Sequence, residues 1–506
     1  MALGSRKILP VIGIVWVATA ALCAAALTAT LIRYGALPTY LDHAEADTAI
    51  LAWRVVSGAP LYPSPDSENF ILTAYGPVLY LANALPLALF GGSIQASKVA
   101  GLAAIALTVI IFAWDANRRH GPTLAALGAT VFIAVLLVSG PFALWIRPES
   151  LLLLLATVAV ACMPKEGKSP GLGAAAIVGV CSGLAVAAKI HGFIYFAPIV
   201  LGVFFSRWRT AWPIMAGMGL LAALLPFAAP GISLVGFVSG LIGVVKARGV
   251  DWTSVAAVSK WSMIFIAPIL TVLIAASLGR QVTRTTWIQC GILLLAVIIN
   301  LYPASSAGAG WHHMLPFLPF SVGIFLRGIA LFNTGSPIHF GLGALFVVAF
   351  SIISVMPQKR LWRSFAEADR HSGAAGDVIQ AMDRFPGRTL GVGVGGNTPV
   401  SLTASYRPTF VRPIPVFAGS PYFISPVMAM EQKFSGKTFG EKKIAALREC
   451  RIAVWLIPAG ELPFRMYNYF TGEFAFPPAV MTAFDENYRH EGKIGRFDVW
   501  VCGEKK

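Results

Sequence analysis

Apolar stretches of near-spanning length recur about 11 times before Met356, where one membrane span needs roughly 20 residues. The chain is 57% hydrophobic and only 12% charged, with a mean hydropathy of +0.72. Soluble domains carry roughly 25% charged residues. The expected fold is a polytopic α-helical membrane protein.

Composition changes near Met356. Residues 357–506 hold 20 Lys and Arg and 14 Asp and Glu, against 19 and 9 in residues 1–356. A tail of that length suits a domain of its own. It alternates strand-like runs with a helical stretch, Glu441–Cys450, so a small α/β domain is expected over 357–506. Leu390-Gly-Val-Gly-Val-Gly-Gly396 is loosely like a dinucleotide loop, but Asn397-Thr-Pro399 does not open a crossover helix; it reads as a strand ending in a glycine turn. Net charge is +16, spread over loops with no basic stripe interleaved with aromatics, which argues against nucleic acid. Positive loops instead report topology and affinity for anionic lipid.

Arg6-Lys7 precedes the first apolar run, which places the N-terminus inside and loop 33–93 outside. That run is too long for a secretory h-region and reads as a span. Residues 72–92 could cross, but then Arg118-Arg119 and later basic loops would invert. Pro77, Pro86 and Gly91-Gly92 also disfavour a straight span, so an interfacial helix is expected. The spans then run near 8–32, 95–114, 123–145, 149–163, 171–189, 191–206, 211–228, 261–278, 285–304, 313–332 and 338–356. The odd number puts the tail outside. There a Cys450–Cys502 disulfide is plausible beside the runs Ile452–Ile457 and Phe497–Val501, two free thiols being the alternative.

This threading gathers acids and bases at the outer leaflet. Five of the nine acids in residues 1–356 are Asp42, Glu45, Asp47, Asp66 and Glu68. Carboxylates near lipid are costly and are seldom kept without a role. Asp42 with Glu45 also fits a capped interfacial helix. As chemistry, Asp42, Glu45 or Asp47 could act as general base on an acceptor hydroxyl. Arg147-Pro-Glu149 opens the fourth span and offers a second acidic position, Glu149, or a simple helix-end pair. Lys189-Ile-His191 reads as a snorkelling Lys or as a phosphate contact. His312-His313, after a run of small residues, reads as a plain loop or as a phosphate or sugar contact. Adjacent His residues rarely share a metal, so no metal site is assigned. Lys98, Lys246, Arg248, Asp251 and Lys260 fall on the same outer face.

With these residues placed, the chain resembles the GT-C membrane glycosyltransferases, in the bacterial group of aminoarabinose transferases and protein O-mannosyltransferases (the glycosyltransferase 39/83/87-like group). Glu45 stands about where that family's first-loop Glu lies. Gly58-Ala-Pro-Leu-Tyr62 and Tyr75-Gly-Pro-Val-Leu-Tyr80 resemble its next two elements, and Lys98 the basic residue opening the following span. Arg147-Pro-Glu149, Lys189 before Gly192, and His313-Met-Leu-Pro-Phe-Leu-Pro319 are similar to its later motifs. Ala44 replaces the usual first acid, and Tyr75-Gly76 the usual basic-Pro pair, so the base stays open among three carboxylates.

The resemblance implies a polyprenyl-phosphate sugar donor and a cell-envelope acceptor, with inversion at the sugar carbon. Donor contacts would come from Lys98, Arg147, Lys189, His191, His312, His313 and Tyr75. Membrane lipid would be a partner, and the setting a bacterial inner membrane with the tail periplasmic. Some members use a divalent metal, so one is possible here; no other cofactor is implied. A lipid or solute transporter would show an internal repeat and charges at mid-span; an O-antigen ligase or polymerase would show a different first loop and usually no such tail.

Overall fold

The computed structural model describes residues 5–64, 67–164, 171–203, 208–247, 249, 252–306, 308–332, 361–396, 406–434, 439–468 and 471–503. The expected span 338–356 lies outside them, as do Asp66, Arg248, Asp251 and Asn397-Thr-Pro399.

Among the described residues, fourteen helices precede the tail: α1 (Ser5–Ala36), α2 (His43–Val56), α3 (Pro77–Phe90), α4 (Ile94–His120), α5 (Pro122–Val138), α6 (Pro148–Ala161), α7 (Leu172–Ala188), α8 (Ala197–Val203), α9 (Trp208–Leu224), α10 (Leu234–Ala247), α11 (Trp252–Ile266), α12 (Ile269–Ser277), α13 (Arg284–Ala304) and α14 (Leu318–Ala330). Helices lie where the apolar runs fall. Among the described residues five helical segments are long and apolar enough to cross a membrane, Gly13–Ala36, Ile94–His120, Arg209–Ala228, Arg284–Ala304 and Trp311–Ala330. The third and fifth join α9 and α14 to the short turns beside them, and the bent pair α11–α12 makes a sixth if it is one broken span. Others, including α5, α6 and α7, are apolar but only 14 to 17 residues long. The chain is a multi-pass membrane protein. Helix α10, unanticipated in the loop between 228 and 261, packs Phe237 on Tyr62 of the first loop.

Local signals set the helix ends. Gly121, at φ 81°, caps α4 and leads directly into Pro122 at the start of α5. Pro77 and Pro148 open α3 and α6 in the same manner. Helix α3 has 14 residues, short of a span. Helices α7 and α9 cross closely: a Cβ on Gly183 would stand 2.0 Å from the Gly219 carbonyl oxygen.

The tail carries a four-stranded sheet in the order β1-β3-β6-β5, built from β1 (Leu390–Val392), β3 (Val454–Pro458), β5 (Tyr488–Ile494) and β6 (Phe497–Cys502). β1 runs parallel to β3, with Leu390 opposite Val454; the other pairings are antiparallel, with Val454 opposite Val501. The short β2 (Gly395–Gly396) leaves the glycine run to pair with β4 (Leu462–Pro463). A helix at Glu441–Arg448 falls in the helical stretch expected over Glu441–Cys450, and the tail holds more helix than its sequence signalled, at Ala374–Arg384, Pro426–Phe434 and Pro478–Asn487. Cys450 and Cys502 form a disulfide.

Two large hydrophobic cores organise the described residues. One fills the helix bundle, from Phe112 and Phe132 to Phe325. The other is shared: Ile50, Tyr62 and Leu79 of the first loop pack in one cluster with Val411, Phe423 and Met428 of the tail. The tail is docked on the first loop.

Candidate functional site

A cavity of about 520 Å³ lies where the first loop, the α5–α6 turn, α11, the 308–312 segment and the tail helix Pro426–Phe434 converge. Of the residues singled out in the sequence, Asp42, Asp47, Tyr75, Arg147 and His312 line it. Glu45, Lys98, Glu149, Lys189, His191 and His313 do not.

Asp42 caps α2. Its Oδ1 accepts the Ala44 N–H at 2.9 Å, and Glu45 Oε1 accepts the Asp42 N–H at 2.9 Å, completing a capping box. The Asp42 side chain keeps 21% of its exposure, toward the cavity it lines. Arg147 Nη1 stands 3.6 Å from its Oδ1 and His43 Nδ1 3.8 Å from its Oδ2. Burial works against charge on Asp42, but His43 and Arg147 outweigh it and hold the carboxyl below its ordinary range. Asp42 is therefore an ionised group at neutral pH.

Glu45 is fully buried. Its Oε1 accepts from the N–H groups of Leu41 and Asp42, and its Oε2 from the Ile146 N–H at 3.2 Å and from the Tyr34 hydroxyl. Burial holds its carboxyl above the usual range, against the pull of Tyr34 and Lys98. Four donors from three segments make it a tie between α1, the first loop and the α5–α6 turn.

Asp47 faces the tail. Its Oδ1 accepts from Arg412 Nε at 3.1 Å, Arg412 Nη2 at 2.9 Å and the Tyr422 hydroxyl at 2.6 Å, and its Oδ2 from the Ser425 hydroxyl at 2.6 Å. Lys98 is equally committed: its ammonium donates to the carbonyls of Tyr34, Leu37 and Thr39 at 3.0, 2.8 and 2.8 Å. Three bonds exhaust an ammonium, so Lys98 closes the end of α1 and has no donor left for phosphate.

Arg147 lies in the cavity wall. Its Nε and Nη2 donate to the Tyr75 hydroxyl at 3.1 and 2.8 Å, and its guanidinium sits 4.3 Å above the Trp145 ring. Tyr75 is fixed by a β-bridge to Lys189 and by the next residue: a Cβ on Gly76 would stand 2.0 Å from the Ala187 carbonyl oxygen. His312 is buried, stacked on Phe142 at 4.9 Å, and among the described residues neither ring nitrogen has a hydrogen-bond partner. Trp261 and Trp311 stack at 5.0 Å to finish an aromatic wall with Phe142 and Trp145. From the tail, Val427, Met430 and Glu431 supply the opposite side.

Behind Arg147 lies a second, closed cluster. Lys189 Nζ donates to Glu149 Oε1 at 2.7 Å and to His313 Nε2 at 2.9 Å, and His191 stacks on His313 at 5.2 Å. The ligand atoms of Glu149, His312 and His313 lie within 4.8 Å of one another, a donor set of the kind that holds zinc. A dication bound by them would stand close to the Lys189 ammonium, where repulsion is on the order of 8 kcal/mol at about 4 Å and an effective dielectric of about 20. With Lys189 in that position, the residues do not fit a divalent metal.

Sequence reasoning missed Arg412, Tyr422 and Ser425, which have no motif. It also missed the aromatic wall, whose Trp residues carried a signal in their clustering near the ends of apolar runs.

No protein-family model matches the chain, and no curated protein sequence matches it. Solved structures do. The backbone defines a multi-pass helical membrane protein of the GT-C fold. More particularly, it is similar to the crystal structure of ArnT from Cupriavidus metallidurans bound to undecaprenyl phosphate, with a TM-score of 0.57 and 13% identity over 100% of each chain. The apo structure of the same protein aligns with a TM-score of 0.57 and 13% identity, covering 95% of this chain and 98% of that one. At this identity the likeness establishes the fold.

Proposed function

We propose that the chain is a glycosyltransferase that moves a sugar from a polyprenyl-phosphate donor to a cell-envelope acceptor at the outer face of a bacterial inner membrane. In this reading residues 1–356 form the transferase bundle and 357–506 an extracytoplasmic domain that closes the acceptor side of the cavity. The observation that carries it is Asp42 and Arg147 in one cavity wall, 3.6 Å apart. The ArnT structure of the same fold is bound to undecaprenyl phosphate, which supports a lipid-phosphate donor.

Asp42 is the base in this account. Its carboxylate takes the proton of an acceptor hydroxyl as that oxygen attacks the sugar carbon bearing the phosphate. The carbon–oxygen bond to phosphate breaks on the opposite face, and its electron pair stays on the phosphate oxygen. Arg147 stabilises the charge that develops there, and His312 offers a ring N–H to the same group. The configuration inverts. The Phe142, Trp145, Trp261 and Trp311 faces suit the sugar ring and the first isoprene units. Glu149 serves through Lys189 and His313 in this scheme and has no direct part in the proton transfer.

The test is transfer in membranes supplied with radiolabelled polyprenyl-phosphate sugars. Product is expected from at least one donor, and its loss in Arg147→Ala. Absence of product from every donor, with the protein present and folded, contradicts the reading and favours a transporter.

A further inference from the structure

The cluster behind the cavity has the side chains of a metal centre, with a lysine where the metal would be. Its parts are a buried carboxylate, Glu149, and two buried imidazoles, His312 and His313. Glu149 Oε2, both His312 ring nitrogens and His313 Nδ1 have no hydrogen-bond partner among the described residues. Buried polar atoms are rarely left so, and together they form a donor-rich pocket. The positive charge that balances it comes from within the chain. Lys189 Nζ stands 2.7 Å from Glu149 Oε1 and 2.9 Å from His313 Nε2.

The ammonium is held there by the backbone. Lys189 ends α7 with its N–H bonded to the Ala185 carbonyl, its carbonyl accepts from the Gly192 N–H at 2.7 Å, and it bridges Tyr75. His313 must accept from the ammonium at Nε2, which puts its ring proton on Nδ1. Metal coordination through His313 Nε2 and Glu149 Oε1 would require Lys189 to withdraw both hydrogen bonds.

We infer that Lys189 is a built-in cation: it takes the place of a divalent metal at the Glu149–His312–His313 cluster, and removing its ammonium creates a metal-binding site. The structural consequence is metal-free positioning. The cluster backs Arg147 through Glu149, two residues on, and His312, so a fixed charge there orients the cavity wall without an exchangeable ion. The inference concerns the bundle and stands independently of what the chain transfers.

The test is Co(II) binding to the full-length protein in detergent, monitored by the visible absorption of the ion and by metal content after desalting. Wild type is expected to bind no Co(II) at this site and to be purified without stoichiometric Zn(II). Lys189→Ala is expected to bind a single Co(II), with the intense bands of a four- or five-coordinate ion. Those bands are lost in Lys189→Ala combined with His312→Ala, and Lys189→Arg behaves as wild type. Stoichiometric metal in wild type, removed by His312→Ala, overturns the inference. So does a monodisperse Lys189→Ala protein that binds no metal. If Lys189→Ala fails to fold, the metal content of wild type decides the matter.

Discussion

Asp47 in the first loop and Arg412 in the tail, 365 residues apart, form a buried ion pair in which two guanidinium nitrogens lie 2.9 and 3.1 Å from one carboxylate oxygen. The pair sits where the shared core of loop and tail reaches the cavity. Around it Arg54 donates to the Tyr422 carbonyl and Lys443 to those of Phe423 and Glu68. A seam of cations on loop and tail carbonyls thus holds the tail against the site.

Removing one partner of a buried pair leaves the other charge stranded, at a cost of roughly 3–5 kcal/mol. Arg412→Ala should therefore loosen the tail, seen as rapid proteolysis between the bundle and residue 406 in conditions that spare wild type. Adding Asp47→Asn to Arg412→Ala should recover part of the loss. A single variant as resistant as wild type would contradict the tether.

Glu45→Gln should act on stability before chemistry. An amide keeps one acceptor oxygen but sets an NH2 against donors in either orientation, the N–H groups of Leu41 and Asp42 at one position or the Ile146 N–H and Tyr34 hydroxyl at the other. A buried clash of this kind costs about 1–3 kcal/mol. A fall in the detergent melting temperature is expected, with activity per folded molecule changed far less than by substitution at Asp42.

Much of this was legible in the sequence. The apolar runs gave the helices because spanning length and hydropathy are local properties. The Asp42 and Glu45 capping pattern was readable for the same reason, as was the gathering of carboxylates in the first loop, of which Asp42 and Asp47 line the cavity. What separates the three carboxylates was not readable. Glu45 is saturated because Ile146 arrives from 101 residues away, and Asp47 is tethered because Arg412 arrives from 365 residues away. Lys98 reads as a phosphate ligand in the sequence because nothing local marks the three carbonyls at and beyond the end of α1 that take its ammonium. Glu149, His312 and His313 come together only when α6, α7 and the 311–317 turn pack.

Gly76→Ala should damage the site without touching a charged group. Its Cβ would overlap the Ala187 carbonyl, forcing the Tyr75–Lys189 bridge apart and releasing the Tyr75 hydroxyl from Arg147. The expected result is a lower melting temperature and a raised KM for donor. Unchanged donor affinity would argue that Tyr75 does not position Arg147.

Docking of the tail should depend on pH through Lys443. Burial pushes its amine down to about 7, with Arg54 adding to the shift and Glu68 opposing it. The unfolded chain takes up this proton near the ordinary value of 10.5, the folded chain only near 7. Between those values the unfolded state binds more protons, so stability rises with pH, by on the order of 1 kcal/mol per pH unit; below about 7 the penalty is complete. Urea or protease resistance of the tail should therefore increase from pH 7 to 10, and Lys443→Met should flatten the profile. A wild-type profile that is flat or falls over that range would contradict the buried amine.

The central claim is that Asp42, alone of the three candidates Asp42, Glu45 and Asp47, is the base. It is tested most directly by transfer from a polyprenyl-phosphate sugar, comparing Asp42→Asn, Glu45→Gln and Asp47→Asn at matched amounts of folded protein. The expected result is a loss of roughly 10²–10⁴-fold in kcat for Asp42→Asn, with donor KM little changed. Because His43 and Arg147 hold the Asp42 carboxyl below its ordinary range, this group should add no acid limb to the wild-type rate near neutral pH. Transfer by Asp42→Asn at the wild-type rate, with Glu45→Gln or Asp47→Asn inactive yet folded, would contradict the claim.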